Sequence, residues 1–270
     1  MSDATPPLSH LVVFTDLDGT LLDHDSYSWA PARPALDALK AGGAALVLAS
    51  SKPALEMADL HAALGLGDTP AIVENGAGVY RPGQGASGAG DYARLRAALD
   101  ALGGDLRGYF QGFGDMSDAQ VAAETGLAPE AAARALARAF SEPGLWHGSD
   151  AQLAAFGAQL KAQGIALRRG GRFATLSFGA TKADRMGEIA TQLGAGVTLA
   201  LGDAPNDIEM LQAADHGVIL RNDHGAAIPA LAGEATGQII RTTAPGPEGW
   251  NRAVLEFLSH LPREALHRDG

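Results

Sequence analysis

The first apolar run of the chain, Leu11-Val12-Val13-Phe14, is short, continuous and rich in branched residues, the pattern of a strand buried on both faces of a parallel sheet. It leads into Asp16. A helical stretch with Ala35, Leu36 and Leu39 follows Pro34 and stops at Gly42-Gly43, after which Ala44 to Ala49 predicts a second buried strand. Pro53 opens another helix reaching about Leu64. Ala71-Ile72-Val73 and Gly78-Val79-Tyr80 predict two short strands around Asn75-Gly76, a hairpin signal. Strand, helix, strand, helix, strand is the order of a parallel sheet with crossover helices.

The rhythm breaks after Tyr80. Arg81 to Gly90 is a glycine-rich loop, and the stretch from about Asp91 to Gly171 mixes alanine-rich helices with isolated strands such as Leu106 to Phe110. Its most helical piece is Pro129 to Phe140, which opens on proline and is nearly all alanine, arginine and leucine. From Arg172 the alternation resumes: strand Phe173 to Phe178, helix Lys182 to Leu193, strand Val197 to Leu201, helix Pro205 to Ala214, strand Gly217 to Leu220. A last helix, about Glu248 to Leu261, spaces Trp250, Val254, Leu258 and Leu261 as a core-facing stripe. The expected architecture is α/β: a doubly wound parallel sheet core formed by 8–80 and 172–262, interrupted by an inserted α+β domain at 81–171.

Length and charge narrow the function classes. At roughly 150 residues per domain, 270 residues suit a core with a smaller companion. A formal net charge of −11 without a basic stripe argues against nucleic acid and against an anionic membrane surface as partners. The absence of cysteine removes disulfides, thiolate metal sites and cysteine nucleophiles. The polar opening Met1-Ser2-Asp3-Ala4-Thr5-Pro6-Pro7 carries no signal pattern, and no apolar run approaches a membrane span, so the expected location is cytoplasmic. Oligomeric state is not legible.

Asp16-Leu17-Asp18-Gly19-Thr20 stands directly after the first strand, and in open parallel sheets ligands bind beyond the carboxyl ends of the strands. An isolated Asp pair equally suits a turn or a helix cap. Its company favours chemistry: Ser50 after the second strand, Lys182 at a helix start, and Asp203 and Asp207 after Thr198 to Leu201. Phosphoryl transfer needs an in-line nucleophile, neutralised equatorial oxygens and a proton for the leaving oxygen. One carboxylate can attack phosphorus, and a second can supply the proton and later take one from water. Carboxylates with a backbone carbonyl form a hard-oxygen site that selects Mg2+. The metal and Lys182 would offset the repulsion between a phosphate and these acids, with the Ser50 hydroxyl as a neutral donor.

The run Asp16 to Thr20, the Ser50 strand end, Lys182 and Gly202-Asp203-Ala204-Pro205-Asn206-Asp207 resemble the four motifs of the haloacid dehalogenase superfamily of phosphatases. The insertion between Ser50 and Lys182 resembles the α/β cap of its C2 class. Within that class the chain is similar to the mannosyl-3-phosphoglycerate phosphatases. The stretches that carry this are Ser50-Ser51-Lys52, Val73-Glu74-Asn75-Gly76, Gly112-Phe113-Gly114-Asp115-Met116-Ser117, Phe140-Ser141-Glu142-Pro143, Gly170-Gly171-Arg172-Phe173 and Gly246-Pro247-Glu248-Gly249-Trp250. The resemblance implies Asp16 as nucleophile, Asp18 as acid and base, and catalytic support from Ser50 and Lys182. It implies Mg2+ held by Asp16, the Asp18 carbonyl and Asp203, with Asp207 bound directly or through water. It also implies substrate contacts from Lys52, Asn75, Gly76, Ser141, Arg172 and Asn206. The substrate would be a small phosphorylated sugar acid, mannosyl-3-phosphoglycerate, and the product mannosylglycerate, a compatible solute. Thr175 stands where relatives often have His, and Pro53 where a hydroxyl residue is common.

Other readings stay open. Lys52 is either a surface lysine or an anion contact, the latter favoured because a cation at a helix start opposes the dipole. Arg172 is an anion contact or a strand-edge ion pair. Ser141 and Glu142 read equally as a turn before Pro143 or as cap lining. Gly83 to Gly88 matches G-x-G-x-x-G but lacks the preceding buried strand, so it reads as a linker into the cap. The histidines form no metal motif. The functional rivals are a phosphosugar mutase, a phosphatase of glucosyl-3-phosphoglycerate or sucrose phosphate, and a phospho-accepting signalling domain.

Overall fold

The structure, a computed structural model, describes residues 8–86, 89–102, 105–170 and 172–261. The polar opening at 1–7, Gly88 of the glycine-rich stretch, Gly171 and residue 262 at the expected core boundary lie outside the described residues. In chain order, β1 (Leu11–Thr15), α1 (Arg33–Gly42), β2 (Ala45–Leu48) and α2 (Ala54–Leu64) come first. Then come β3 (Ala71–Val73), β4 (Gly78–Arg81), β5 (Gly85–Ala86), α3 (Ala89–Asp100), β6 (Phe110–Gly112), α4 (Asp118–Thr125) and α5 (Pro129–Ala135). Next are β7 (Ser141–Trp146), α6 (Asp150–Ala162), β8 (Ala166–Gly170) and β9 (Phe173–Ser177). The chain closes with α7 (Lys182–Gln192), β10 (Val197–Gly202), α8 (Ile208–Ala213), β11 (His216–Arg221), β12 (Ile239–Pro245) and α9 (Gly246–His260). Among the described residues no helix is long and apolar enough to cross a membrane.

The chain divides into two compact units. One takes the residues up to Ser50, Asp68–Ala71 and those from Lys182 onward, and the other takes Ser51–Gly67 and Ile72–Thr181. The first unit is built on a parallel sheet in the order β12-β11-β10-β1-β2. Every residue of β1 is buried, as a strand with parallel neighbours on both sides requires. Helix α8 packs on β10 and β11 and pairs with α7, while α9 lies on β11 and β12 and pairs with α1. The chain leaves β1 toward β2 on one side and later returns to β10 on the other. The sheet therefore reverses its order at β1, and its crevice opens at the carboxyl end of that strand.

The second unit holds an antiparallel sheet, β6-β7-β9-β8, and β3, β4 and β5 form a three-stranded sheet. Leu95 and Leu99 of α3 and Leu153, Phe156 and Leu160 of α6 pack with Phe110 and Leu176 of the four-stranded sheet. A smaller core gathers Phe113, Met116, Val121 and Ala132.

Several elements differ from the pattern reading. The strand at 173–178, expected in the parallel core, pairs antiparallel with β7 and β8. Only two residues separate Gly170 from its partner Phe173, and a parallel crossover needs a dozen or more. Strand β3 sits beside β4, around the Asn75-Gly76 hairpin signal, in a separate three-stranded sheet and not in the parallel one. By packing, 51–67, 72–80 and 172–181 thus fall in the second unit, whereas the pattern placed them with the core. The helix expected from Pro129 to Phe140 ends at Ala135, because the backbone of Ala139, Phe140 and Ser141 donates to the Glu74 carboxylate. Ser141 and Glu142 are fully buried strand residues, not a turn. The strand expected at Leu106 to Phe110 begins only at Phe110, after a short 3-10 turn. Gly85–Ala86 pairs with Tyr80 and Arg81, so part of the glycine-rich stretch is a hairpin. The pattern does not predict β12, an edge strand whose Arg241 and Thr243 face solvent.

Candidate active site

Three of the four acids expected to act together, Asp16, Asp203 and Asp207, meet within the first unit. Backbone pairing sets the frame: the Asp16 amide donates to the Leu201 carbonyl at 2.9 Å and the Ala49 amide to the Thr15 carbonyl at 2.8 Å. Asp16, Ser50 and Asp203 therefore leave the same edge of the sheet from neighbouring strands. Lys182, at the first position of α7, is buried and donates to Asp16 Oδ1 at 2.6 Å and to Asp207 Oδ1 at 2.7 Å. Asp207 is locked in turn, its Oδ2 accepting from the Asp203 and Ala204 amides, each at 3.1 Å.

Asp203 is oriented by two residues to which the sequence pattern assigns no role. Thr20 donates its hydroxyl to Asp203 Oδ1 at 2.7 Å, and Asn222 donates its side-chain amide to Asp203 Oδ2 at 2.6 Å. Asn222 is itself set by the His224 and Gly225 amides, each donating to its Oδ1 at 2.8 Å. Its signal was available, since it comes after β11 just as Asp203 comes after β10. Gly19 has φ +81°, and a Cβ there would stand 2.8 Å from Asp203 Oδ2, so the turn between Asp18 and Thr20 needs glycine.

Carboxylate oxygens of Asp16, Asp203 and Asp207 lie within 4.8 Å of one another. Ionised, three carboxylates beside one ammonium leave two negative charges in a buried site. Burial first, then the nearby Asp207, pushes the Asp16 carboxyl well above its usual range. Burial also pushes Asp203 up to about 6, against the lowering effect of the Thr20 bond. Burial alone would lower the Lys182 ammonium, but the Asp16 and Asp207 carboxylates outweigh it and raise it above the usual lysine range. A hard, oxygen-only set with two uncompensated charges fits a divalent cation such as Mg2+. Asp18 is half-buried at the turn, its backbone bridged to Leu22. Asn206 is exposed in the 3-10 turn Pro205–Asp207.

Lys52, Asn75, Gly76, Ser141 and Arg172 belong to the second unit. Lys52 lies 3.9 Å from Glu56 one helical turn on. Arg172 is mostly exposed, 3.9 Å from Glu124 and over the Phe173 ring, which matches the strand-edge alternative. The Ser141 hydroxyl donates to Glu74 at 2.7 Å and accepts from Arg138 at 2.9 Å. Glu142 is buried and takes bonds from the Tyr92 hydroxyl at 2.7 Å, Arg96 at 2.7 Å and the Gly114 amide at 2.8 Å.

A sequence profile described as haloacid dehalogenase-like hydrolase matches residues 13–86 and 167–234. Among solved structures, the sucrose-phosphatase of Synechocystis sp. PCC6803, in complex with sucrose and phosphate, is 17% identical with a TM-score of 0.62, covering 92% of this chain and 98% of that one. The phosphatase BT1666 of Bacteroides thetaiotaomicron is 19% identical with a TM-score of 0.61, covering 95% and 99%. The subclass IIB sugar phosphatase BT4131 is 19% identical with a TM-score of 0.60, covering 91% and 98%. At these identities the likeness is one of fold.

Proposed function

This chain belongs to the haloacid dehalogenase-like hydrolases, and we propose from that premise that it is a Mg2+-dependent phosphomonoesterase acting on a small phosphorylated sugar acid. The observation that carries the reading is the buried Asp16–Lys182–Asp207 cluster with Asp203 beside it, at the carboxyl edge of a parallel sheet. A pure binding site for an anion would not be lined with carboxylates.

In the reaction, an Asp16 carboxylate oxygen bonds to phosphorus as the ester P–O bond breaks. Asp18 gives its proton to the departing oxygen and then takes one from water. That water attacks phosphorus, the bond to Asp16 breaks, and inorganic phosphate leaves. Lys182 donates to Asp16, favouring its charged form against burial and Asp207 and fixing its orientation, and Ser50 offers a donor to a phosphate oxygen. Mg2+, held by Asp16, Asp203 and the Asp18 carbonyl with Asp207 in support, would supply positive charge against the phosphate oxygens.

Mannosyl-3-phosphoglycerate is the first substrate to test, on the strength of the sequence stretches 112–117, 140–143, 170–173 and 246–250. A likeness of fold to a sucrose-phosphatase keeps sucrose phosphate as the second reading. A phosphate-release panel over mannosyl- and glucosyl-3-phosphoglycerate, sucrose phosphate and simple hexose phosphates decides between them. The highest kcat/KM is expected on the mannosyl compound, and an isomerised phosphosugar without free phosphate would point to a mutase. The metal has a separate readout. Mg2+ at a hundredfold its Kd should stabilise the protein by about 2.7 kcal/mol, seen as a raised unfolding temperature. Asp203→Asn should lose that shift, and an unshifted wild type would refute the metal site.

A further inference from the structure

The segment Gly246-Pro247-Glu248-Gly249-Trp250 has no role in the chemistry above, yet it builds a precise contact with the nucleophile's strand. Gly246 has φ +51°, and Pro247 follows it into α9. A Cβ at Gly249 would drive into the Ala244 carbonyl, so only glycine lets the first turn of α9 close against the end of β12. The next residue, Trp250, is fully buried, and its indole Nε1 donates to Thr15 Oγ1 at 3.0 Å.

An indole N–H only donates, and a threonine hydroxyl has one hydrogen. With its oxygen accepting from Trp250, the Thr15 hydroxyl hydrogen goes to the Asp16 carbonyl, 2.7 Å away. Thr15 is fully buried as well, so no bulk water competes for either bond. The nucleophile's backbone is then held from both ends, its amide by the Leu201 carbonyl and its carbonyl by Thr15.

We propose that Trp250 is a positioning residue for the nucleophile: through Thr15 it fixes the Asp16–Leu17 peptide, and with it the direction in which the Asp16 carboxylate leaves the strand. Fixing the attacking group in its productive geometry acts on the chemical step and not on substrate binding. The inference rests on the phosphatase reading for its catalytic part only.

The test uses the full chain with p-nitrophenyl phosphate as probe. Trp250→Phe keeps the ring and deletes the N–H, and Thr15→Val keeps the shape and deletes the hydroxyl. Each is expected to lower kcat about five- to tenfold with KM unchanged, the size of one lost buried hydrogen bond. The double variant should be no slower than Thr15→Val alone, because both changes break one relay. Thr15→Ser should recover most of the rate. In 15N-edited spectra the Trp250 indole resonance, identified by its loss in Trp250→Phe, should shift in Thr15→Val and stay near its place in Thr15→Ser.

A wild-type kcat in a folded Trp250→Phe, a change confined to KM, or additive losses in the double variant would overturn the proposal. If Trp250→Phe fails to fold, the Thr15 pair decides by the same criteria. A wild type that releases no phosphate would sink the phosphatase reading, while the indole shift would still show whether Trp250 holds Thr15.

Discussion

Asp16→Asn is expected to lower phosphate release by at least about ten-thousandfold while leaving the fold as stable as the wild type or more so. The loss comes from the bond that must form: an amide oxygen is too poor a nucleophile to take the phosphoryl group, and no other carboxylate leaves β1 at that point. The retained stability comes from the surroundings. Burial and the neighbouring Asp207 raise the Asp16 carboxyl well above its usual range, so the folded protein disfavours the charged form. A neutral side chain of the same shape relieves that penalty, and its carbonyl oxygen can still accept from Lys182, which donates to Asp16 Oδ1 at 2.6 Å. The two readouts pull apart in a way that a damaged fold cannot imitate. Kinetics on the preferred substrate and thermal unfolding without added Mg2+ check them together. Turnover within tenfold of wild type would remove Asp16 from the nucleophile's role.

Much of this site was legible because parallel strands end where ligands bind. Asp16, Ser50 and Asp203 each stand just past a short branched run, and the sheet order puts all three on one edge. Lys182 was legible as a cation at a helix start in the company of these acids, and two acids do face it. Asn222 and Thr20 escaped because neither carries charge, and their work is to aim Asp203. The second unit was the harder half. Its β6–β7 and β7–β9 pairs join strands far apart in sequence, and nothing in the run Phe173 to Phe178 says whether its partners are β1 and β10 or β7 and β8. The decisive fact was the two-residue connection from Gly170, a matter of chain geometry and not of hydrophobic pattern. Pro143 left the segment before it open between a turn and cap lining. It pairs with Thr175 inside β7.

Glu74 explains the remaining departure from pattern and leads to the second large effect, a loss of about 3–5 kcal/mol of stability in Glu74→Ala. Its side chain is fully buried, and one carboxylate gathers the amides of Ala139 at 2.8 Å, Phe140 at 3.2 Å and Ser141 at 2.8 Å. It also takes the Ser141 hydroxyl at 2.7 Å and Arg138 Nε at 3.3 Å. This is the segment where the alanine-rich helix stops and β7 begins. The backbone bends to serve the arrangement: Glu74, Asn75 and Gly76 have φ of 51°, 58° and 93°, and the two non-glycine residues each accept a left-handed conformation costing about 1–2 kcal/mol. Alanine keeps that backbone cost, leaves three amides without their acceptor and deprives the buried Arg138 guanidinium of its carboxylate partner. Glycine at 74 separates the two contributions. Glu74→Gly removes the conformational cost, so it should be more stable than Glu74→Ala by about 1 kcal/mol, yet remain well below the wild type. Denaturant unfolding of the three proteins measures this directly. A Glu74→Gly variant as stable as the wild type would show that the carboxylate's bonds contribute little and that the bend alone shapes the loop.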